Sequence, residues 1–320
     1  MLNQHTENPK GLVLTTPTYK NLLQAIGNTP LVQVNFDVEA TVLAKLEYLN
    51  PGGSLKDRSA LFMIEDAERK GTLKPGGVII EASSGNQGIA AAMIGSYKGY
   101  RVIITASEKV SKEKLDTLRA YGVEVVLCPP TAKLDDPKSY YSKAVEIHAQ
   151  TPNSIFLSQY FNPTNSLAHY SSLGPEVYEQ TQGTVTHFLA AAGSCGHSNG
   201  AGKYLKEKNP NIKILPVDSQ TSWRATNGEP KPYALEGIGV DYDTPLYNKA
   251  VVDEFLNVTD EQAIGMLKTM ARSHGLLIGP SSGAVAYAAY EYAKKLPASA
   301  VVVMVFGDSG RAYLTKNFYS

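Results

Sequence analysis

The stretch Asn50-Pro51-Gly52-Gly53-Ser54-Leu55-Lys56-Asp57-Arg58 decides how the rest of the chain is read. Pro-Gly-Gly is a turn signal, and the two glycines let the backbone bend sharply and lie close to a bound molecule. The following residues, Asp57 to Gly71, carry Ala60, Ile64 and Ala67 at helical spacing. Lys56 is therefore expected where a loop becomes a helix, beside N–H groups without intrahelical partners and at the positive end of the helix dipole. That setting favours a neutral amine, and an amine must be neutral to attack a carbonyl and form a Schiff base. A lone lysine is ordinarily a solvated surface charge, so the assignment depends on the motifs around it.

The chain has 320 residues, room for one large α/β domain or two ordinary ones. With 43% apolar and 19% charged residues it has the composition of a soluble globular protein. Thirty Lys and Arg balance thirty Asp and Glu, so no positive excess points to nucleic acid or an anionic membrane. Cys128 and Cys195 form neither a disulfide framework nor a CxxC pair, and the first ten residues lack an apolar signal core. No apolar run approaches the roughly 18 residues of a membrane span. A reducing, cytoplasmic setting is expected. The six histidines do not cluster at metal-ligand spacing, and no metal is expected.

Residues 1–11 read as a loose arm. Asn21 to Val34 read as a short helix, a turn at Gly27-Asn28-Thr29-Pro30 and an extended segment. Residues 41–48 read as a strand leading into the Lys56 loop. The apolar run Val78 to Glu81 enters Ser83-Ser84-Gly85-Asn86-Gln87-Gly88 and then a small-residue helix. Strands at 101–106, 123–127 and 155–157 alternate with helices at 111–121 and 138–150. A strand at 185–192 enters the glycine-rich loop Gly193 to Gly200 and another helix. Strand 212–217, an irregular 218–256, and a helix over 260–274 ending at Gly275 follow. Gly279 to Ala284 then open a small-residue helix, a strand and a last loop, Gly307 to Tyr313. Alternating strands and helices predict parallel sheets covered by helices. Glycine-rich strand-to-helix loops present N–H groups that cradle anions, although many α/β loops are glycine-rich without doing so. No GxGxxG follows the first strand and no GxxxxGK[ST] occurs, which argues against nicotinamide-binding and P-loop enzymes.

Taken together, IGNTPLV, NPGGSLKDR, SSGNQG, the loop at 193, EGIG, GPSSGA and GDSGRAYLTK resemble, in order, the pyridoxal-phosphate (PLP) enzymes of the cysteine synthase and cystathionine β-synthase group, fold type II. The resemblance covers about residues 20–318 and is strongest toward cystathionine β-synthase, as a catalytic core without haem-binding extension or regulatory module. It implies an α/β fold of two three-layer domains with mainly parallel sheets. A smaller, mobile, substrate-gripping domain is expected over 41–158, and a larger PLP-binding domain over 12–40 plus 159–318. It also implies a homodimer.

The resemblance further implies roles. Lys56 matches the lysine that holds PLP as an internal aldimine and moves the Cα proton. Asn86 matches the residue that bonds the ring hydroxyl. Ser83, Ser84, Gly85 and Gln87 form the loop that grips the substrate carboxylate, with Gln159 and Gly237 lining the cleft. Gly193, Ser194, Cys195, Gly196 and His197 match the phosphate loop. Ser281 faces the pyridine nitrogen, where a hydroxyl makes a weaker electron sink suited to β-elimination. Asp308 and Ser309 lie near the ring. The implied activity is β-replacement on L-serine or an O-activated L-serine with homocysteine or sulfide, giving cystathionine or cysteine, as a lyase or transferase.

The sequence departs from the family at several positions. The phosphate loop, usually G-T-G-G-T, reads Gly193-Ser194-Cys195-Gly196-His197, where His197 keeps a donor. Cys195 costs about 1–2 kcal/mol if its position is left-handed. Ser83 and Gln87 stand where Thr is usual. Val240 follows EGIG in place of the tyrosine of cystathionine β-synthases, which leaves sulfide open as nucleophile. An amine nucleophile, sulfide release from cysteine, and a non-catalytic binding or regulatory protein of the same fold are the alternatives.

Overall fold

The computed structural model describes residues 18–131 and 134–320; the expected arm at 1–11 lies outside the described residues. The chain enters through a short 3-10 turn and strand β1 (Leu31–Gln33), which pairs antiparallel with β2 (Thr41–Leu46). It then turns through Asn50–Ser54 into helix α1 (Lys56–Arg69), whose Ala60, Ile64 and Ala67 are buried as their spacing predicts.

Next come β3 (Val78–Ala82), α2 (Asn86–Tyr97), β4 (Arg101–Ser107), α3 (Lys112–Ala120), β5 (Glu124–Cys128), α4 (Tyr140–Gln150) and β6 (Ser154–Phe156). These strands make one parallel sheet in the order β5-β4-β3-β6. Its faces are covered separately. Ile79 and Ile104 pack with α1 and α2, while Val78, Ile80 and Ile103 pack with Ala144 of α4. That two-sided burial is why β3 reads as a continuous apolar run.

The remainder comprises α5 (Thr164–Ser171), α6 (Leu173–Gln180), β7 (His187–Ala191), α7 (Gly196–Lys208), β8 (Lys213–Ser219), β9 (Leu256–Val258), α8 (Asp260–His274), α9 (Pro280–Ala293) and β10 (Val301–Phe306). The larger sheet runs β1-β2-β10-β7-β8-β9, parallel except for β1. Helices α8 and α9 cover one face and α6 and α7 the other. The fold is α/β, with two three-layer units. Helix α8 follows its local signals: Thr259 and Gln262 form a capping box, and Gly275 ends it at φ +70°.

The expected boundary at residue 41 does not match sheet membership. Strand β2 is hydrogen-bonded to β10, Thr41 opposite Val301 through Leu46 opposite Phe306, and so lies in the larger sheet. A strand's own pattern states that it is buried but not which strand it joins. The chain crosses from one unit to the other within Glu47–Leu55, just before Lys56. At the other side of the expected division, Leu23 and Ile26 pack against the core of the smaller unit.

A buried ion cluster holds this crossing. Arg58, 1% exposed, donates from Nε and Nη2 to Glu47 at 2.7 and 2.8 Å and from Nη1 and Nη2 to Glu176 at 2.6 and 2.7 Å. Lys45, fully buried, donates to the Thr29 carbonyl, Glu176 and Gln180 at 2.6–2.8 Å. Burial alone would raise the Glu176 carboxyl, but Arg58 and Lys45 outweigh it and hold it at about 2. This stabilisation is complete above the ordinary carboxylate value of 4.5 and is lost as pH falls toward 2. Glu176→Ala leaves two buried cations short of a partner. It is expected to lower the unfolding free energy by about 3 kcal/mol, read from the urea transition.

Candidate active site

Lys56 is the first residue of α1 and lines a cavity of about 160 Å³ between the two units. This cavity shares walls with an inner recess of about 40 Å³ and an outer mouth of about 350 Å³. No carboxylate of the described residues lies within ion-pair distance of the Lys56 ammonium. Burial brings its pKa down to about 8, against the opposing charges of Glu81, Asp308 and Cys195. Desolvation, rather than the helix end invoked from sequence, is the main physical cause of the lowered basicity. Backbone contacts knit the surrounding loops: the Leu55 N–H donates to the Gly307 carbonyl at 2.9 Å and the Gly279 N–H to the Asp308 carbonyl at 3.0 Å.

The loop after β3 supplies the opposite wall. Ser83 and Gly85 face both cavity and mouth, and Ser84 faces the mouth. Asn86 opens α2, and its Nδ2 donates to Asp308 at 2.7 Å. Gln87 is buried; its Oε1 takes the Ser59 hydroxyl at 2.9 Å, and its Nε2 has no partner. Gln159, on the link leaving the smaller sheet, lines the same cavity.

The inner end is built by the loop between β7 and α7. Gly193 and Ser194 line the recess, and the Ser194 oxygen accepts from Asn165 at 3.3 Å. Cys195 is left-handed at φ +63°, the condition under which a non-glycine costs about 1–2 kcal/mol. Its thiol is fully buried and pushed up to about 11 by that burial. A Cβ on Gly196 would lie 2.4 Å from Asn165, so this position takes no side chain. His197 lines the recess with Nδ1 unpartnered. Burial, then the charge of Lys56, drives its pKa down to about 3. Its ring meets the buried His169 ring edge-on at 5.8 Å. Ser281, near the start of α9, faces the recess beside Gly237. Gly237 holds φ +80°, and a Cβ there would stand 3.2 Å from the Ser281 hydroxyl.

The structure thus gathers nearly all the residues singled out from sequence around one cavity. Cys195, Gly196 and Ser309 are the exceptions: the first two belong to the glycine loop without lining the cavity, and Ser309 bridges to Ile278. Four others were missed. Glu81, on the fully buried β3, accepts the backbone N–H groups of Ser158 and Gln159 and is pushed up to about 8 by burial. Lys114 of α3 pairs with Glu236 across the mouth. The Tyr313 hydroxyl donates to Asp308 at 2.5 Å. A carboxylate inside the apolar run Val78–Ala82, two residues before the site loop at Ser83, was the available signal for Glu81.

A buried lysine between two α/β units, facing a serine-rich loop and a glycine-rich helix start, defines a class of enzyme site built around a carbonyl-reactive amine. A family model described as "Pyridoxal-phosphate dependent enzyme" matches residues 22–308, and the chain belongs to that family. It is 40% identical over 94% of its length to the cystathionine β-synthase of Apis mellifera, and spans 62% of that protein. It is 41% identical to the O-acetylserine dependent cystathionine β-synthase of Bacillus subtilis, over 93% of this chain and 97% of that one. The crystal structure of an O-acetylserine sulfhydrylase isoform from Entamoeba histolytica superposes with a TM-score of 0.90 at 32% identity, covering 99% of this chain and 95% of that one.

Because the Lys56 amine titrates at about 8 in the free site, reaction of the apoprotein with pyridoxal phosphate should accelerate as pH rises from 6 and level off above about 8. Stopped-flow absorbance would show this profile; a rate that keeps climbing through pH 10 would mean an unshifted lysine.

Proposed function

We propose that this chain catalyses β-replacement on L-serine or an O-activated L-serine with a thiol nucleophile, homocysteine or sulfide, giving cystathionine or cysteine. The carrying observation is the Lys56 amine, unpaired and lowered to about 8, at the point where the serine loop and the glycine loop converge. The O-acetylserine in the names of two relatives supports an activated donor.

The residues present fit the cofactor. The first turn of α7 offers backbone N–H groups to a phosphate, joined by Ser194 and by the His197 ring, whose buried Nδ1 lacks a partner. Asn86 suits the ring hydroxyl, and the Ser281 hydroxyl suits the ring nitrogen. Bound pyridoxal phosphate supplies an aldehyde and an electron sink for breaking a Cα–H bond. Lys56 anchors it and then carries the Cα proton. Ser83, Ser84 and the unpartnered Nε2 of Gln87 donate to the substrate carboxylate. Gln159 and Gly237 bound the cleft. Approach of the smaller unit, with the Lys114–Glu236 pair across the mouth, excludes water from the reacting carbon. The reading includes a cytoplasmic homodimer.

The test offers the holoenzyme L-serine, O-acetylserine or O-phosphoserine with sulfide or homocysteine and identifies the product by mass spectrometry. Cysteine or cystathionine is expected with at least one pair. Lys56→Ala should lower that turnover by at least about a hundredfold. Absence of product from every pair would sink the reading.

A further inference from the structure

Asp308 is 4% exposed, and its carboxylate sits behind Asn86. Both of its close donors converge on Oδ2: Asn86 Nδ2 at 2.7 Å and the Tyr313 hydroxyl at 2.5 Å. Its backbone is pinned by a β-bridge to Ser54 and by the Gly279 N–H at 3.0 Å. Oδ1 occupies the space where a Cβ on Gly279 would lie, 1.9 Å away, so the absence of a side chain there makes room for the carboxylate. Burial pushes the Asp308 carboxyl up, while Tyr313 and Asn86 favour its ionised form.

An asparagine amide presents N–H groups on one side and a carbonyl on the other, whereas a carboxylate only accepts. Asp308 Oδ2, the acceptor for both donors, therefore selects one of the two amide orientations of Asn86. One N–H is committed to Asp308, and the second remains for the cavity that Asn86 lines. We propose that Asp308 is a positioning residue that fixes the Asn86 amide so that an N–H meets the ring hydroxyl of the bound cofactor. This rests on the placement of Asn86 at that hydroxyl in the function proposed above. A donor there favours the deprotonated ring oxygen, because a hydrogen bond to the charged form stabilises it.

The test reads the absorbance of the purified holoproteins at fixed pH, as the ratio of the long-wavelength band (ring oxygen deprotonated) to the near-ultraviolet band (ring oxygen protonated). Asp308→Ala is expected to lower the ratio about tenfold, the size of one hydrogen bond to a charged group. Asp308→Asn keeps an acceptor for Asn86 Nδ2 and should retain most of the ratio. In an Asn86→Ala background, Asp308→Ala should change little, since its effect runs through Asn86. Where Asp308→Ala does not fold, Asp308→Leu, closer in shape, takes its place in both backgrounds. An unchanged ratio in Asp308→Ala, or an equal fall with and without Asn86, would overturn the proposal. A ratio that Asn86→Ala itself leaves unmoved would instead refute the placement of Asn86.

Discussion

The two-sided grip on Arg58 is the constraint on which the rest depends. Two carboxylates, Glu47 and Glu176, each take the guanidinium through paired hydrogen bonds. The fork is rigid and planar, so it fixes direction as well as distance. Glu47 follows the last strand residue before the crossing and Glu176 lies on α6, while Arg58 is in the first turn of α1. The turn at Glu47, helix α1 and the distant helix α6 are thereby set at one place, two residues from Lys56. Buried ions cost desolvation, and such a cluster contributes less to stability than its charges suggest. What it supplies here is position.

Position also explains the electrostatics of the site. Lys56 is drawn out of water by the packing around it, and that alone would favour a neutral amine. Glu81 and Asp308 oppose the shift without approaching close enough to pair, so the amine settles near neutrality instead of far below it. A directly paired carboxylate would have locked the charge in place. His197, desolvated by its burial and facing the same cation without an offsetting carboxylate, loses its proton readily.

The parts legible in the sequence are those written locally. Helix α8 announces its start with Thr259 and Gln262 and its end with Gly275, and α1 shows an apolar stripe. The segment between Tyr160 and Val185 was passed over for a physical reason. Helix α5 buries Thr164, Asn165 and His169 along with Ala168, so no apolar period marks it. Polar groups turned inward beneath the glycine loop look, in sequence, like a surface. The partner of β2 was illegible because register and neighbour are decided across some 260 residues of chain. In the site, loops carrying glycine, serine and lysine could be found by composition. Glu81 carried only one signal, its place in an apolar run leading into a site loop, and the source of the Lys56 shift could not be named before its burial was known.

The crossing at Glu47–Leu55 has a kinematic consequence. The strands of the smaller sheet are inserted between β2 and β7 of the larger one, joined by this link and by the return after β6, while Leu23 and Ile26 tie the segment before β1 to the smaller unit as well, so covalent continuity confines relative rotation to these few connections. Lys56 stands at the end of the first of them, on a short lever arm, whereas the serine loop and α3 lie farther out. A rotation that sweeps the rim through ångströms displaces the amine far less. Lys56 thus stands at the covalent link between the two units, where any relative rotation of them displaces it least.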